Sequence, residues 1–239
     1  MDTRLEIKDT SSARQWQNDG MSLPCVAVLG GTGQQGRGIA QRLAVAGFPV
    51  VVGSRDPGRA AAAIGGWPAS VPTVRSATYG DAIASSDVVV LAIPFDSVDA
   101  VLEQHQQSFR QQALVIEITV PLNFANKTVA LSTVVEGSAS EHIRVRLPAH
   151  VRLAATFKTV PAHLLGDLDR TLDCDEFVCG DSDEARAGAR DLVQAVPGLR
   201  AIDVGPLSRA RSIEHLTLLA VGINRRHKIH DARFRIVGL

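Results

Sequence analysis

From Pro24 onward, short apolar runs alternate with stretches whose apolar residues recur at helical spacing. Val26–Leu29 is a four-residue apolar run closed by glycines, which suits a strand buried on both faces. Ile39, Leu43, Val45 and Ala46 follow at helical spacing, and Gly47 offers a stop. The stretch PVVVGSR (49–55) reads as a second strand. SRDPGRAAAAIGG predicts a second helix ending at Gly65 and Gly66, and WPASVPTV a loop with a short strand near Val71–Val74. YGDAIASSD predicts a short helix. The run from Asp87 to Ile93 predicts a strongly buried strand that Pro94 ends. A helix through Val98, Val101 and Leu102 and a strand over ALVIEIT (113–119) follow, and VPLN breaks that strand.

The alternation persists after residue 148. VRLAATF, Glu176–Cys179 and LRAIDVG read as strands. TVPAHLL, DSDEARAGARDLVQAV and SRARSIEHLTLLAVGIN read as helices, and a further helix follows GSAS. RFRIVGL closes the chain in extended form. Strands regularly spaced by helices predict an α/β fold. The expected architecture is a doubly wound parallel Rossmann sheet with a second, smaller α/β C-terminal domain. Its expected parts are a polar extension over 1–22, a dinucleotide domain over 23–148 and a substrate domain over 149–239. No Pro/Gly/Ser linker separates the halves, so they should pack closely.

Composition changes this picture little. The 239 residues are 45% hydrophobic and carry 25 basic and 25 acidic side chains, for a formal net charge of zero. That balance supplies no global attraction to nucleic acid or to membranes. No apolar run approaches the ~20 residues of a membrane span, and the first twenty residues lack the apolar core of a signal peptide. Three cysteines do not make a disulfide framework, and no second pair stands near Cys174 and Cys179 to complete a metal site. A reducing cytoplasmic setting, with no bound metal, is expected. Met21 opens the patterned part of the chain, so it is a plausible start and residues 1–20 a dispensable extension.

Candidate chemistry begins at GGTGQQGRG (30–38). Gly31, Gly33 and Gly36 have the spacing G-x-G-x-x-G, between a strand and a helix, which is the context of a pyrophosphate cradle. Thr32 can add a hydroxyl, and Gln34 and Gln35 their backbone N–H groups. An NAD site usually carries an acid at the end of the next strand. Here that strand ends Ser54-Arg55, and Arg59 follows. A hydroxyl and two guanidiniums suit the 2′-phosphate of NADP. Asp56 is the competing ribose acid, if the strand runs further.

Taken in order, GGTGQQGRGIAQRLAVAG, VVVGSRDPGRA, SDVVVLAIPF, ITVPL, GSASE, TVPAHLL, CDEFVCGD, GLRAIDVGPLSRAR, IEHLTLL and INRRHK…RIVGL resemble the NADPH-dependent coenzyme F420 reductases. The resemblance runs from about residue 24 to the last residue. It implies hydride exchange between nicotinamide C4 and C5 of an 8-hydroxy-5-deazaflavin, and a homodimer. Such a transfer needs two stacked rings more than an acid or base. Carried over by position, Thr32, Gly33, Gln34, Gln35, Ser54, Arg55 and Arg59 match NADP contacts. Ile93 and Pro94 match the strand end beside the nicotinamide. Phe157, Lys158, Val160, Pro161, Arg233 and Phe234 match the walls around the deazaflavin. The basic tail (Arg225, Arg226, Lys228, Arg233 and Arg235) can attract the phosphate and glutamates of that coenzyme, or be a solvated helix end.

The departures cluster in the second half. Lys158 stands where the family mostly has Asn or His, Arg233 where it has glycine, and Glu117 where it has Asp. LTPLL has become LTLLA. A lysine beside a nicotinamide can donate a proton as hydride arrives. The alternative function is therefore reduction of a small carbonyl or imine with Lys158 as proton donor. A plainer role has Lys158 reaching solvent or a phosphate. A dinucleotide-binding protein without catalysis is the third reading. His163 reads as a surface or packing residue, His142 and Glu141 as unpartnered, and Glu214 with Arg211 as a helical pair.

Overall fold

The computed structural model describes residues 22–125 and 128–239, so the segment over 1–21, including the candidate start at Met21, lies outside the described residues. Ten strands are found among them: β1 (Val26–Leu29), β2 (Val50–Ser54), β3 (Arg75–Thr78), β4 (Val88–Leu91), β5 (Leu114–Glu117), β6 (Leu122–Ala125), β7 (Thr128–Leu131), β8 (Arg152–Ala155), β9 (Cys174–Gly180) and β10 (Leu199–Pro206). Eight form one sheet in the order β10-β9-β8-β5-β4-β1-β2-β3, and β6 and β7 make a separate hairpin. The helices are α1 (Gln34–Val45), α2 (Pro57–Gly65), α3 (Tyr79–Ala84), α4 (Val98–His105), α5 (Ala139–Arg144), α6 (Ala162–Gly166), α7 (Asp183–Gln194) and α8 (Ala210–His227).

Strand alternation sorts the core into two layers. Val26, Val28, Val50, Val52, Val88 and Val90 face one way, onto Ile39 and Leu43 of α1, Leu164 and Leu165 of α6 and Leu192 and Val193 of α7. Ala27, Leu29, Val51, Val89 and Leu91 face the other way, onto Ile83 of α3, Leu102 of α4, Ile143 of α5 and Ile213 of α8. Helices on both faces bury β1, β4 and β5 completely, which is why those strands read as unbroken apolar runs.

The six strands from β3 to β8 are parallel. β9 is antiparallel to β8, and β10 is parallel to β9. The expectation of a parallel sheet therefore fails at β9. There the chain crosses from β8 to β9 through a loop and the short helix α6, and comes back in the opposite sense. The sheet also continues through residue 148, because β8 pairs with β5 in register from Leu114↔Arg152 to Glu117↔Ala155.

Two further expectations shift. The third strand lies at Arg75–Thr78, paired with Val51–Ser54, not at Val71–Val74. It is a sheet edge, so its side chains need not be apolar. The hairpin β6–β7 had no predicted counterpart: its strands are four residues each and most of their side chains are exposed, so the alternation of Leu122 and Phe124 with Val129 and Leu131 is too short to stand out.

α1 is fixed against α6 by two devices. Gly38 leaves no room for a side chain, since a Cβ there would lie 2.6 Å from Leu165 Cβ. The buried Arg42 guanidinium donates to the carbonyls of Leu165 (2.8 Å), Leu164 (2.9 Å), Asp167 (2.6 Å) and Arg170 (3.0 Å), closing the end of α6. The closing segment, expected to be extended, forms no regular strand and turns at Val237 and Gly238. Phe234 O accepts from Asp175 N–H at 2.8 Å, and Ile236 N–H donates to Asp175 Oδ2 at 2.6 Å.

Candidate dinucleotide cleft and second-substrate side

A cleft of about 490 Å³ opens at the carboxyl ends of β1, β2 and β4, where ligands bind in such sheets. The three glycines of the motif do three different things. Gly31 lies against Val52, where an added Cβ would come within 3.0 Å of its side chain. A Cβ at Gly36 would meet Gly30 O at 2.6 Å, so this glycine brings α1 down onto the turn. Gly33 is open, with its nearest contact at 3.4 Å, and it lines the cleft. Gly30, outside the motif, carries the turn itself at φ +80, with its would-be Cβ only 2.4 Å from Ala92 O. The first bond of α1 runs from Arg37 N–H to Gly33 O at 2.8 Å. The amides of Gln34, Gln35 and Gly36 thus belong to the open first turn, where an anion is favoured. Thr32 is exposed on the same rim.

At the other end of the cleft β2 stops at Ser54. Arg55 and Arg59 are exposed and line the opening with Ser54. Asp56 is the N-cap of α2: its Oδ1 accepts from Arg59 N–H at 2.9 Å, and its own N–H donates to Ser54 Oγ at 3.1 Å. One of its carboxylate oxygens is thus committed to capping α2, while the residue itself is exposed and lines the cleft. Tyr79, the only tyrosine of the chain, lines the far wall edge-on to His105, and burial raises its hydroxyl pKa. Sequence reasoning missed it, because only the fold carries α3 to the end of β2. Ile93 and Pro94 line the inner wall.

The other candidates lie around the turn after β8, and here the structure departs from expectation. Phe157 and Val160 are core residues, 0% and 4% exposed, and cannot be walls of an open site. The side chain of Lys158 is fully buried. Its Nζ lies 2.6 Å from Glu117 Oε2 and 3.2 Å from Glu214 Oε1, and donates to Thr119 O at 2.6 Å. Burial works against the ammonium, but the two carboxylates outweigh it and hold its pKa above the usual lysine value. Lys158 therefore neither reaches solvent nor presents a proton to the cleft. The expected proton-donor role is corrected: its donors are spent inside the protein. Burial raises the Glu214 pKa, opposed chiefly by Lys158. Glu117 also accepts from the Thr119 hydroxyl at 2.6 Å, from Thr119 N–H and from the Ser140 hydroxyl. Glu214 accepts from Ala139 N–H at 3.0 Å, so it faces inward instead of pairing with Arg211.

Pro161 is half-buried and Arg233 exposed, while Phe234 tilts against Phe177 with ring centroids 6.3 Å apart. His142, expected to lack partners, sits between Glu136 (2.9 Å) and Asp99 (2.8 Å). His163 is a surface residue bound to Asp231 at 2.8 Å. Cys174 and Cys179 are separate buried thiols on β9, pushed up by burial to about 11 and about 12.

A strand–glycine-turn–helix unit with an open pyrophosphate cradle defines a Rossmann-type dinucleotide-binding protein. Comparison with known proteins narrows the class. Residues 25–121 match the family described as NADP oxidoreductase, coenzyme F420-dependent. The chain is 37% identical over 223 residues to the F420-dependent NADP reductase of Methanothermobacter thermautotrophicus, covering 90% of this chain and 95% of that protein. It is 34% identical over 221 residues to its counterpart in Methanothermobacter marburgensis, covering 90% and 98%. A crystal structure from Arthrobacter sp. FB24, provisionally described as an F420-dependent NADP-reductase, superposes with a TM-score of 0.77 at 28% identity, over 89% of this chain and 98% of that one. The chain belongs to the F420-dependent NADP reductase family.

Proposed function

We propose that this protein moves a hydride between NADP(H) and coenzyme F420, the redox partners in the names of its relatives. The observation that carries the cofactor choice is the end of β2. Ser54, Arg55 and Arg59 gather at the cleft, and the acid beside them, Asp56, commits one carboxylate oxygen to capping α2. Two guanidiniums suit a 2′-phosphate and outnumber the single carboxylate beside them. The open first turn of α1 suits the pyrophosphate. The bound nicotinamide supplies the hydride-accepting or hydride-donating carbon. The protein's own part is to seat the dinucleotide along the strand ends, with Ile93 and Pro94 as the inner wall, and to hold the second ring against it. Residues 23–148 carry the dinucleotide and residues 149–239 the second-substrate side, on one shared sheet.

The same reading includes a homodimer and a cytoplasmic setting. Support for the dimer is a groove of about 500 Å³ along α8 and β7, lined by Val129, Leu218, Leu219 and Ile223, with Leu219 53% exposed. The cytoplasm suits three free cysteines. Among the described residues no helix is long and apolar enough to cross a membrane. The test is optical: mixing protein, NADPH and oxidised F420 should bleach the deazaflavin absorbance. Tight NADPH binding without bleaching would refute the assignment of the second substrate.

A further inference from the structure

Phe157 is a buried, non-glycine residue with φ +53. Such a conformation costs on the order of 1–3 kcal/mol and persists only where its surroundings impose it. Three elements impose it. From α1, Gln35 Nε2 donates to Phe157 O at 2.9 Å and to Val160 O at 3.4 Å. From α8, the Thr217 hydroxyl donates to Lys158 O at 2.9 Å. From β9, Glu176 accepts from four donors of the turn. Oε1 takes Lys158 N–H (2.9 Å) and Thr159 N–H (3.4 Å), and Oε2 takes the Thr159 hydroxyl (2.8 Å) and Val160 N–H (3.0 Å).

We infer that Glu176 is a positioning residue: its carboxylate gathers the turn at 158–160 and, through Gln35, sets the first turn of α1 under the dinucleotide. The inference rests on the dinucleotide reading of the cleft. Gln35 occupies the open first turn of α1, yet its side chain points to the turn after β8. A change in that turn therefore reaches the amides facing the pyrophosphate without crossing the cleft. An ionised Glu176 can accept all four bonds. A glutamine offers an oxygen to one side and an amide donor to the other, leaving Val160 N–H facing a second donor. The Thr159 hydroxyl alone can reverse its role. The Lys158 ammonium is turned to Glu117 and Glu214, Asp175 is turned to Arg200 at 2.8 Å, and Cys174 on the same strand is a buried thiol that responds to the Glu176 charge.

Glu176 is wholly enclosed, and burial pushes its pKa up to about 7 despite the hydrogen bonds it accepts. A raised carboxyl pKa means that the ionised clamp is present above about pH 7 and lost as pH falls through it. The experiment is NADPH titration by nicotinamide fluorescence, without second substrate, from about pH 6 to about pH 8, for wild type, E176Q, E176D and Q35A. The interval brackets the Glu176 pKa. In E176Q the Kd for NADPH should rise about tenfold at the high-pH end, as one lost buried hydrogen bond implies. Wild type should approach the E176Q value as pH falls. E176D should recover part of the loss, and Q35A should flatten the pH response that distinguishes wild type from E176Q. Titration of the 2′-phosphate itself is common to all variants and cancels in the ratios. A lowered melting temperature in E176Q with unchanged NADPH affinity and pH profile would overturn the inference. So would a Q35A that folds and keeps the wild-type pH response, which covers the case of an E176Q that does not fold. Failure to bleach F420 with these NADPH patterns intact would remove the second substrate and leave the positioning role standing.

Discussion

The ends of β1 and β2 and the ends of β5 and β8 are built from similar materials and used in opposite ways. At the first, charged side chains are exposed: Arg55 and Arg59 line an open cleft, and the main chain is cleared by glycine. At the second, Lys158, Glu117 and Glu214 are sealed in the interior and satisfy one another. An exposed cation is available to a ligand. A buried one is committed to its partners, because separating it from them leaves charge without solvent. A basic side chain thus lines an open cleft in one place and is architecture in the other.

The contrast is open to attack by mutation, most severely at the closed end. Lys158→Ala should leave two carboxylates buried without a cation and cost about 3–5 kcal/mol, read as a fall in Tm of roughly 10 °C. Lys158→Met combined with Glu117→Gln should recover part of that loss. A Lys158→Ala protein as stable as wild type would mean that the cluster is not closed. Next come the glycines. Gly36→Ala, whose Cβ would lie 2.6 Å from Gly30 O, should destabilise the fold by a few kcal/mol. Gly33→Ala should fold normally and bind NADPH weakly. The difference is read by pairing thermal melts with NADPH titration. Arg55→Ala should weaken NADPH by about ten- to a hundredfold and NADH little; equal losses for both would contradict a 2′-phosphate site. The smallest effect belongs to Asp56→Ala. Removing the cap should cost about 1 kcal/mol of stability and leave the preference for NADPH over NADH unchanged. A gain or loss of NADH binding would return Asp56 to the ribose.

What the sequence made legible follows from how locally each feature is encoded. The cradle is read from seven consecutive residues, and its strand and helix are adjacent in the chain. Ser54 and Arg55 could be placed because a buried strand announces its own end. The polar interior was not legible. Lys158 meets Glu214 across 56 residues, and Gln35 meets Phe157 across 122. Nothing in FKTVPA signals that its lysine faces inward, since an exposed lysine and a paired buried one look alike in one dimension. Glu117 and Lys158 read as separate departures from the family pattern in sequence; in the fold they are one ion pair at 2.6 Å. The reversal at β9 was equally hidden, because a strand's apolar run does not record its direction.

That reversal decides which loops are worth redesigning. With β9 and β10 running against the other six strands of the sheet, the connections before them, at 167–173 and 195–198, come out on the same rim as the glycine turn; Gly198 there lies against Leu172. The turn after β9 comes out on the far rim, where Asp181 holds the start of β8 through Leu153 N–H at 3.0 Å. An engineer seeking a new hydride partner has two further connections to vary on the rim that carries the glycine turn. Variation at Asp181, a few residues away in the text of the gene, would alter only the scaffold's underside.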